Sequence, residues 1–114
     1  MGRFHDAPSR RRVTYSLMKY AHEHDWTSDD YRIYMRSEDD WEFVHIVLVA
    51  RAFEGRDNFV AYSEVLDFLQ RDLADRPDLL NSIALVVKDF RQAEDRGIFG
   101  IGPDYTLEPV SAHM

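Results

Sequence analysis

The longest apolar run in the sequence, residues 41–50, constrains the fold more than any other segment. Val and Ile dominate it and it contains neither Gly nor Pro, so we predict a strand. Alternate side chains of a strand point to opposite faces, and here both alternating sets are mostly apolar. A strand of this kind is expected at the centre of a sheet that is covered on both sides.

The residues after this strand predict a tight turn and an amphipathic helix. Residues 53–58 contain Gly55, which tolerates a positive φ angle. The helix is predicted from about Asn58 to Asp75, and Pro77 is expected to close it because proline cannot continue the hydrogen-bond ladder. The helical spacing of apolar residues predicts a core-facing stripe of Tyr62, Val65, Leu66, Leu69 and Leu73.

The N-terminal residues predict an arm followed by a helix. Ser9 is a suitable cap for a helix that begins near Arg10. The arginines at 10–12 would oppose the positive end of the helix dipole, so a start nearer Thr14 is favoured. Residues 1–12 are therefore expected to form a flexible arm, and residues 13–97 a single domain.

Two further strands complete the predicted sheet. Residues 31–36 alternate between apolar and polar side chains, and a short acidic turn predicts their antiparallel pairing with the central strand. Residues 83–88 predict a third strand, parallel to the central one because a helix separates the two. Residues 89–96 suit a short helix, and the Gly- and Pro-containing segment 98–114 is expected to be irregular. The predicted fold is α+β: a three-stranded mixed sheet with helices packed on one face, in the order α-β-β-α-β-α.

The segment from about Phe43 to Phe99 resembles the BolA family. The resemblance lies in Val47-Leu48-Val49, then Phe53-Glu54-Gly55, then a helix that ends in Leu69 and Leu73. BolA-like proteins similarly have a strand ending in valines, a Phe-x-Gly turn and an amphipathic helix. The resemblance implies a BolA-like fold, akin to the type II KH domain, in which residues 83–88 form the third strand and residues 89–96 the last helix.

The functional histidines of that family have no counterpart here. The family carries a histidine early in the helix after the Phe-x-Gly turn, where Tyr62 stands in this chain. It also tends to have one at the end of the third strand, which helps ligate an iron–sulfur cluster shared with a monothiol glutaredoxin. Lys88 and Asp89 stand there, and a protonated lysine is a poor metal ligand. We therefore expect no cluster sharing with a glutaredoxin and no cofactor.

Composition restricts the kinds of partner that the chain can bind and the cellular compartment that it suits. The 114 residues carry a formal net charge of −7, which disfavours nucleic-acid binding, and the Gly55-Arg56-Asp57-Asn58 turn lacks the second glycine of a KH loop. The chain has no cysteine, so it forms no disulfide. Neither a signal peptide nor an apolar run of the roughly 20 residues that span a bilayer is visible. We expect a cytoplasmic protein that does not associate with membranes.

The histidines and acidic residues form no recognisable catalytic or metal motif. His22 and His24 are two residues apart, so on a helix they point in different directions and suit a polar helix end. His45 lies between apolar neighbours on the central strand, where a buried histidine making one hydrogen bond is the simpler interpretation and a functional role the alternative. The acidic residues of segment 38–42 lack the spacing and glycine of an EF-hand. The chain is therefore not expected to be an enzyme.

The sheet face away from the helices is where we expect a partner to bind. Residues predicted to contribute to it are Arg32, Tyr34, Arg36, His45, Val86 and Lys88. The register of the central strand cannot be read from the sequence, so its contribution is either the set with His45 (43, 45, 47 and 49) or the equally apolar set 44, 46, 48 and 50. Such a face, apolar in its middle and basic at its rim, needs a cover. Three covers are possible: a second copy forming a homodimer, a different protein, or the C-terminal segment with Ile98, Phe99, Ile101 and Leu107.

Three functions are compatible with these patterns. The first, which we favour, is a non-enzymatic protein-interaction or regulatory module of BolA-like fold. The second is a nucleic-acid-binding regulator of KH-like fold. The third is a small enzyme or ligand-binding domain.

Overall fold

The computed structural model describes residues 7–37, 44–94 and 105–110. A turn of 3-10 helix, Arg51–Phe53, follows the second strand. The other elements are α1 (Ala7–Glu23), β1 (Tyr31–Ser37), β2 (Val44–Ala50), α2 (Asn58–Asp72), α3 (Pro77–Leu80), β3 (Ile83–Lys88), α4 (Phe90–Glu94) and β4 (Thr106–Glu108). The fold is α+β, as predicted.

The sheet has four strands in the order β3-β2-β1-β4. β2 is antiparallel to β1 and parallel to β3, which confirms the predicted pairing of the first three strands. The prediction of three strands is wrong, because Thr106–Glu108 pairs antiparallel with β1 inside the segment that was expected to be irregular. A three-residue strand followed by Pro109 is too short to show an alternating pattern, and it forms here because the edge of β1 offers it hydrogen-bonding groups.

The main core lies between one face of the sheet and the helices α1 and α2. β1 contributes Tyr31, Ile33 and Met35, and β2 contributes Val44, Ile46, Leu48 and Ala50, all fully buried. These two sets face the same way because Ile33 pairs with Leu48 across the strands. α1 covers them with Val13 and Leu17, and α2 covers them with Val65 and Leu69.

The first helix begins at Ala7, earlier than the predicted start near Thr14. Arginines that were assigned to a flexible arm are therefore helical, and residues 1–6 lie outside the described part of the chain. Two of these arginines form ion pairs with distant acids: Arg10 with Glu108 and Arg12 with Asp72, each at 3.2 Å. These tertiary contacts offset the unfavourable position of positive charge near a helix N-terminus.

The core stripe of α2 differs in part from the prediction. Ala61, Val65 and Leu69 are fully buried, whereas Leu66 is half-buried and lies outside the core cluster. The two apolar stripes adjoin each other on the helix, and the small side chain of Ala61 allows the helix to pack closely on the sheet. The helix ends at Asp72, so Pro77 does not close it but occupies the first turn of α3, where proline is well tolerated.

Turn and cap residues fix the direction of the chain around α2 and α4. Gly55 has a φ angle of 77°, and Asp57 caps α2 by accepting hydrogen bonds from the backbone N–H groups of Phe59 and Val60. Asp89 and Gln92 form a reciprocal capping box at the start of α4, with N···O distances of 2.7 and 2.9 Å. α4 therefore starts directly after β3.

α1 and α2 pack on one face of the sheet, as predicted, and α4 is joined to the start of α2 by the hydrogen bond from Asn58 to Gln92. The ring of the first residue of α4 lies elsewhere. Phe90, the first residue of α4, lies against Arg32, whose neighbours Tyr31 and Ile33 point into the core. Phe90 is therefore on the side of the sheet opposite the core. We call this side the outer face.

Candidate functional site

The outer face consists of three rows of side chains that run across the strands. Each row runs from β1 through β2 to β3: Arg32, Val49 and Lys88 form one row, Tyr34, Val47 and Val86 the next, and Arg36, His45 and Ala84 the third. β4 adds Leu107 next to Tyr34. All six residues predicted to bind a partner lie on this one face: Arg32, Tyr34, Arg36, His45, Val86 and Lys88.

The middle of the outer face is aliphatic and its two edge strands are partly exposed. Val47 and Val49 of the central strand are buried, at 3% and 0% exposure. They lie opposite the core cluster and do not belong to it. At the edges, Val86 of β3 is 46% exposed and Leu107 of β4 is 54% exposed. Aliphatic surface therefore extends from the covered centre to both sides of the sheet.

Cationic side chains lie at both ends of the outer face and stack on aromatic rings. The guanidinium carbon of Arg36 is 5.1 Å from the centre of the Tyr105 ring. At the other end, Arg32 and Arg51 lie 5.1 and 4.8 Å from the centre of the Phe90 ring. Stacking of this kind orders a long side chain and leaves the edge of the guanidinium available for hydrogen bonding.

Three further residues of the outer face were not predicted from the sequence: Arg51, Phe90 and Tyr105. Arg51 follows directly after β2 and Phe90 comes two residues after the end of β3. An arginine and an aromatic residue at the ends of neighbouring parallel strands are a usable signal, because such ends meet at one edge of a sheet. Tyr105 carries no comparable signal, since its position depends on the pairing of β4.

The proposed cover by the C-terminal segment is described only in part. Ile98, Phe99 and Ile101 lie outside the described residues. Leu107 does lie on the outer face, but as a strand residue beside Tyr34 rather than as a cover laid across the sheet.

The histidines occupy separate environments. The His24 ring stacks on Tyr20 at 4.1 Å between ring centres, and its Nδ1 atom is 2.8 Å from the carbonyl oxygen of Tyr20. His45 is half-buried on the outer face, more exposed than the sequence predicted. Within residues 7–37, 44–94 and 105–110, no group of three or more His, Asp or Glu side chains is arranged to hold a metal ion.

A polar network joins α1 to α2 around Asp72. Its carboxylate accepts hydrogen bonds from Ser16 Oγ at 2.6 Å, Lys19 Nζ at 3.0 Å and Arg12 Nη1 at 3.2 Å. Burial alone would raise the pKa of Asp72, but these hydrogen bonds outweigh it and leave the pKa below its usual value. Ser16 is fully buried, so the network ties two helices together rather than presenting a nucleophile to a substrate.

A second exposed apolar surface lies on the outward side of α2. Phe59 is 73% exposed and Val60 is 47% exposed, and together with Ser63, Glu64 and Asp67 they line a shallow open hollow. Glu64 is paired with Arg56 at 2.9 Å and Asp67 with Arg71 at 3.3 Å. In the sequence, this surface is indicated by two adjacent apolar residues at the start of α2 that do not belong to its core-facing stripe.

Comparison of the chain with protein-family models, with curated proteins and with solved structures finds no match in any of the three. Among the helices that the structure describes, none is both long and apolar enough to cross a membrane.

Proposed function

We propose that this chain is a non-enzymatic protein-interaction module of BolA-like fold, and that its partner docks on the outer face. The observation that carries the proposal is the pair of half-exposed aliphatic side chains, Val86 and Leu107, on the two edge strands of that face. Exposed apolar surface next to cationic side chains is typical of binding surfaces. The order of elements and the parallel pairing of β3 with β2 support the BolA-like part of the proposal.

The alternative of a nucleic-acid-binding regulator is less well supported by the same face. The aromatic rings of Phe90 and Tyr105 already carry stacked arginines, whereas binding of single strands relies on rings that are open to bases. The net charge of −7 also opposes binding to a polyanion. An enzyme or ligand-binding domain is less well supported because the hollow on α2 is shallow and its acids are paired with arginines.

The experiment compares two valines of nearly equal exposure. Val86→Lys places a charge on the outer face, and Val60→Lys places the same charge on α2, where the wild-type side chain is 47% exposed against 46% for Val86. The full-length chain and both variants are used as bait in host lysate, and light scattering measures self-association of each purified protein. We expect a partner, or a second copy, that is lost with Val86→Lys and retained with Val60→Lys.

Two results would contradict the proposal. One is a monomeric wild-type chain that captures nothing sensitive to Val86→Lys. The other is an equal loss of the captured protein in both variants. Circular dichroism of each variant verifies that the change has not simply unfolded the domain.

A further inference from the structure

Two arginines and one ring form a compact stack at one end of the outer face. Arg32 comes from β1, Arg51 from the turn after β2, and Phe90 from the start of α4. Both guanidinium carbons lie about 5 Å from the centre of the same ring. We call this group the arginine stack. Its three parts are held by the pairing of β1 with β2 and by the capping box of α4.

Both guanidinium groups retain hydrogen-bond donors. Arg32 is exposed, and within residues 7–37, 44–94 and 105–110 its side chain contacts the Phe90 ring and forms no hydrogen bond or ion pair. Arg51 Nε forms an ion pair with Asp30 Oδ1 at 3.7 Å, a separation longer than a hydrogen bond, so its N–H donors are not used by this pair. The other carboxylate oxygen of Asp30 accepts hydrogen bonds from the backbone N–H and hydroxyl of Thr27. An arginine stacked on a ring keeps its five N–H donors in the guanidinium plane.

The surroundings of the arginine stack indicate the kind of group it suits. The charged residues that the described strands place on the outer face are cations, Arg32, Arg36 and Lys88, on a chain whose net charge is −7. A guanidinium fork matches a carboxylate with two parallel hydrogen bonds. The adjacent row across the strands carries the half-exposed Val86, which suits an aliphatic side chain.

We propose that the arginine stack binds a carboxylate side chain of a partner protein, within an acidic segment whose aliphatic residues cover Val86. This inference rests on the proposed docking at the outer face and adds the chemistry of the partner. Because Phe90 already holds both guanidinium groups in place, less side-chain freedom is lost on binding. A nucleic acid would bring phosphates but no aliphatic side chain for Val86.

The test measures fluorescence anisotropy of a labelled peptide in which glutamates alternate with leucines. A matched peptide has glutamine at every glutamate position. We expect the wild-type chain to bind the acidic peptide more tightly than the glutamine peptide, and the difference to shrink with salt. Arg32→Ala and Arg51→Ala should each weaken binding of the acidic peptide about 5- to 20-fold. Arg32→Lys keeps the charge but loses the planar fork, and it should retain part of the affinity.

The matched control is Arg71→Ala, which removes an exposed arginine on α2 and should leave binding unchanged. Acetate, phosphate and a single-stranded oligonucleotide are added as competitors.

Equal binding of the two peptides, or no effect of Arg32→Ala, would overturn the inference. Competition by acetate or phosphate at a concentration equal to that of the peptide would also overturn the inference. Binding of the oligonucleotide more tightly than the acidic peptide would do the same. If Val86→Lys still abolishes partner capture while both peptides bind equally, only the carboxylate inference falls and the proposed function stands.

Discussion

Leu69 and Leu66 are identical side chains on one helix in different surroundings. Leu69 is fully buried in the core cluster, and Leu66 is half-buried outside it. Leu69→Ala should lower the free energy of unfolding by about 2–5 kcal/mol, through lost burial and the cavity left behind. Leu66→Ala should cost less than about 1.5 kcal/mol because its side chain is only partly buried and lies outside the core cluster. Urea melts of the two variants measure the difference. Equal losses would contradict the core assignment of α2.

The side chains of the outer face show what a sequence can reveal residue by residue. Alternation along a strand has a strict period of two, so Arg32, Tyr34 and Arg36 had to share a face. The sequence did not show which set of β2 joins them, because both sets are apolar and register depends on pairing. The pairing of Ile33 with Leu48 decides it and places His45 with the arginines.

Between α1 and α2, the network around Asp72 makes the contact between the helices dependent on pH. The pKa of this carboxylate is lower in the folded chain than its ordinary value of 3.8. A depressed folded pKa means that ionised Asp72 contributes stability above the unfolded pKa and that this contribution is lost as the pH falls through the folded pKa. Asp72→Asn should therefore lower the free energy of unfolding at pH 7 by about 1–3 kcal/mol.

The difference between Asp72→Asn and wild type should begin to shrink below about pH 4, where the carboxylate of the unfolded chain becomes protonated. It should shrink further as the pH falls through the lower pKa of the folded carboxylate. Urea melts at several pH values measure this. Asp67→Asn is the control, because the side chain of Asp67 is 68% exposed and its pair with Arg71 should be worth less than about 1 kcal/mol. A difference for Asp72→Asn that stays constant down to pH 3 would show that the charge is not what joins the helices.

Elements with strong local patterns were predictable, and elements that depend on distant partners were not. β3 has the predicted bounds, because its aliphatic run lies between clear breaks in the pattern. The start of α1 and the existence of β4 were missed for a shared reason. Arg10 lies in a helix and Glu108 in a strand, and the two are 98 residues apart in the sequence yet form one ion pair. No local periodicity reports such a contact.

For the whole molecule, the prediction that this chain shares no iron–sulfur cluster with a glutaredoxin can be tested apart from the outer face. Tyr62, at the place of one family histidine, is partly buried and packs against the core cluster, while Lys88 lies on the outer face. Lysine, protonated near neutral pH, is a poor metal ligand, and the packing of Tyr62 against the core does not present its side chain to a partner's cluster. Anaerobic co-purification with a monothiol glutaredoxin should therefore give no mixed complex with cluster absorption bands. A stable complex whose visible circular dichroism requires this chain would contradict the prediction.

The pairing of β4 with β1 has a consequence for how the chain is made. A ribosome delivers β1, β2 and β3 well before β4, so the outer edge of β1 emerges without the strand that pairs with it in the finished fold. Unpaired strand edges on partly synthesised chains invite pairing with other chains. Until Thr106–Glu108 is added, nascent copies on one messenger are exposed to each other along β1. Slow translation between β3 and β4 would lengthen that interval, and a chaperone that binds extended backbone would protect the edge of β1 during it.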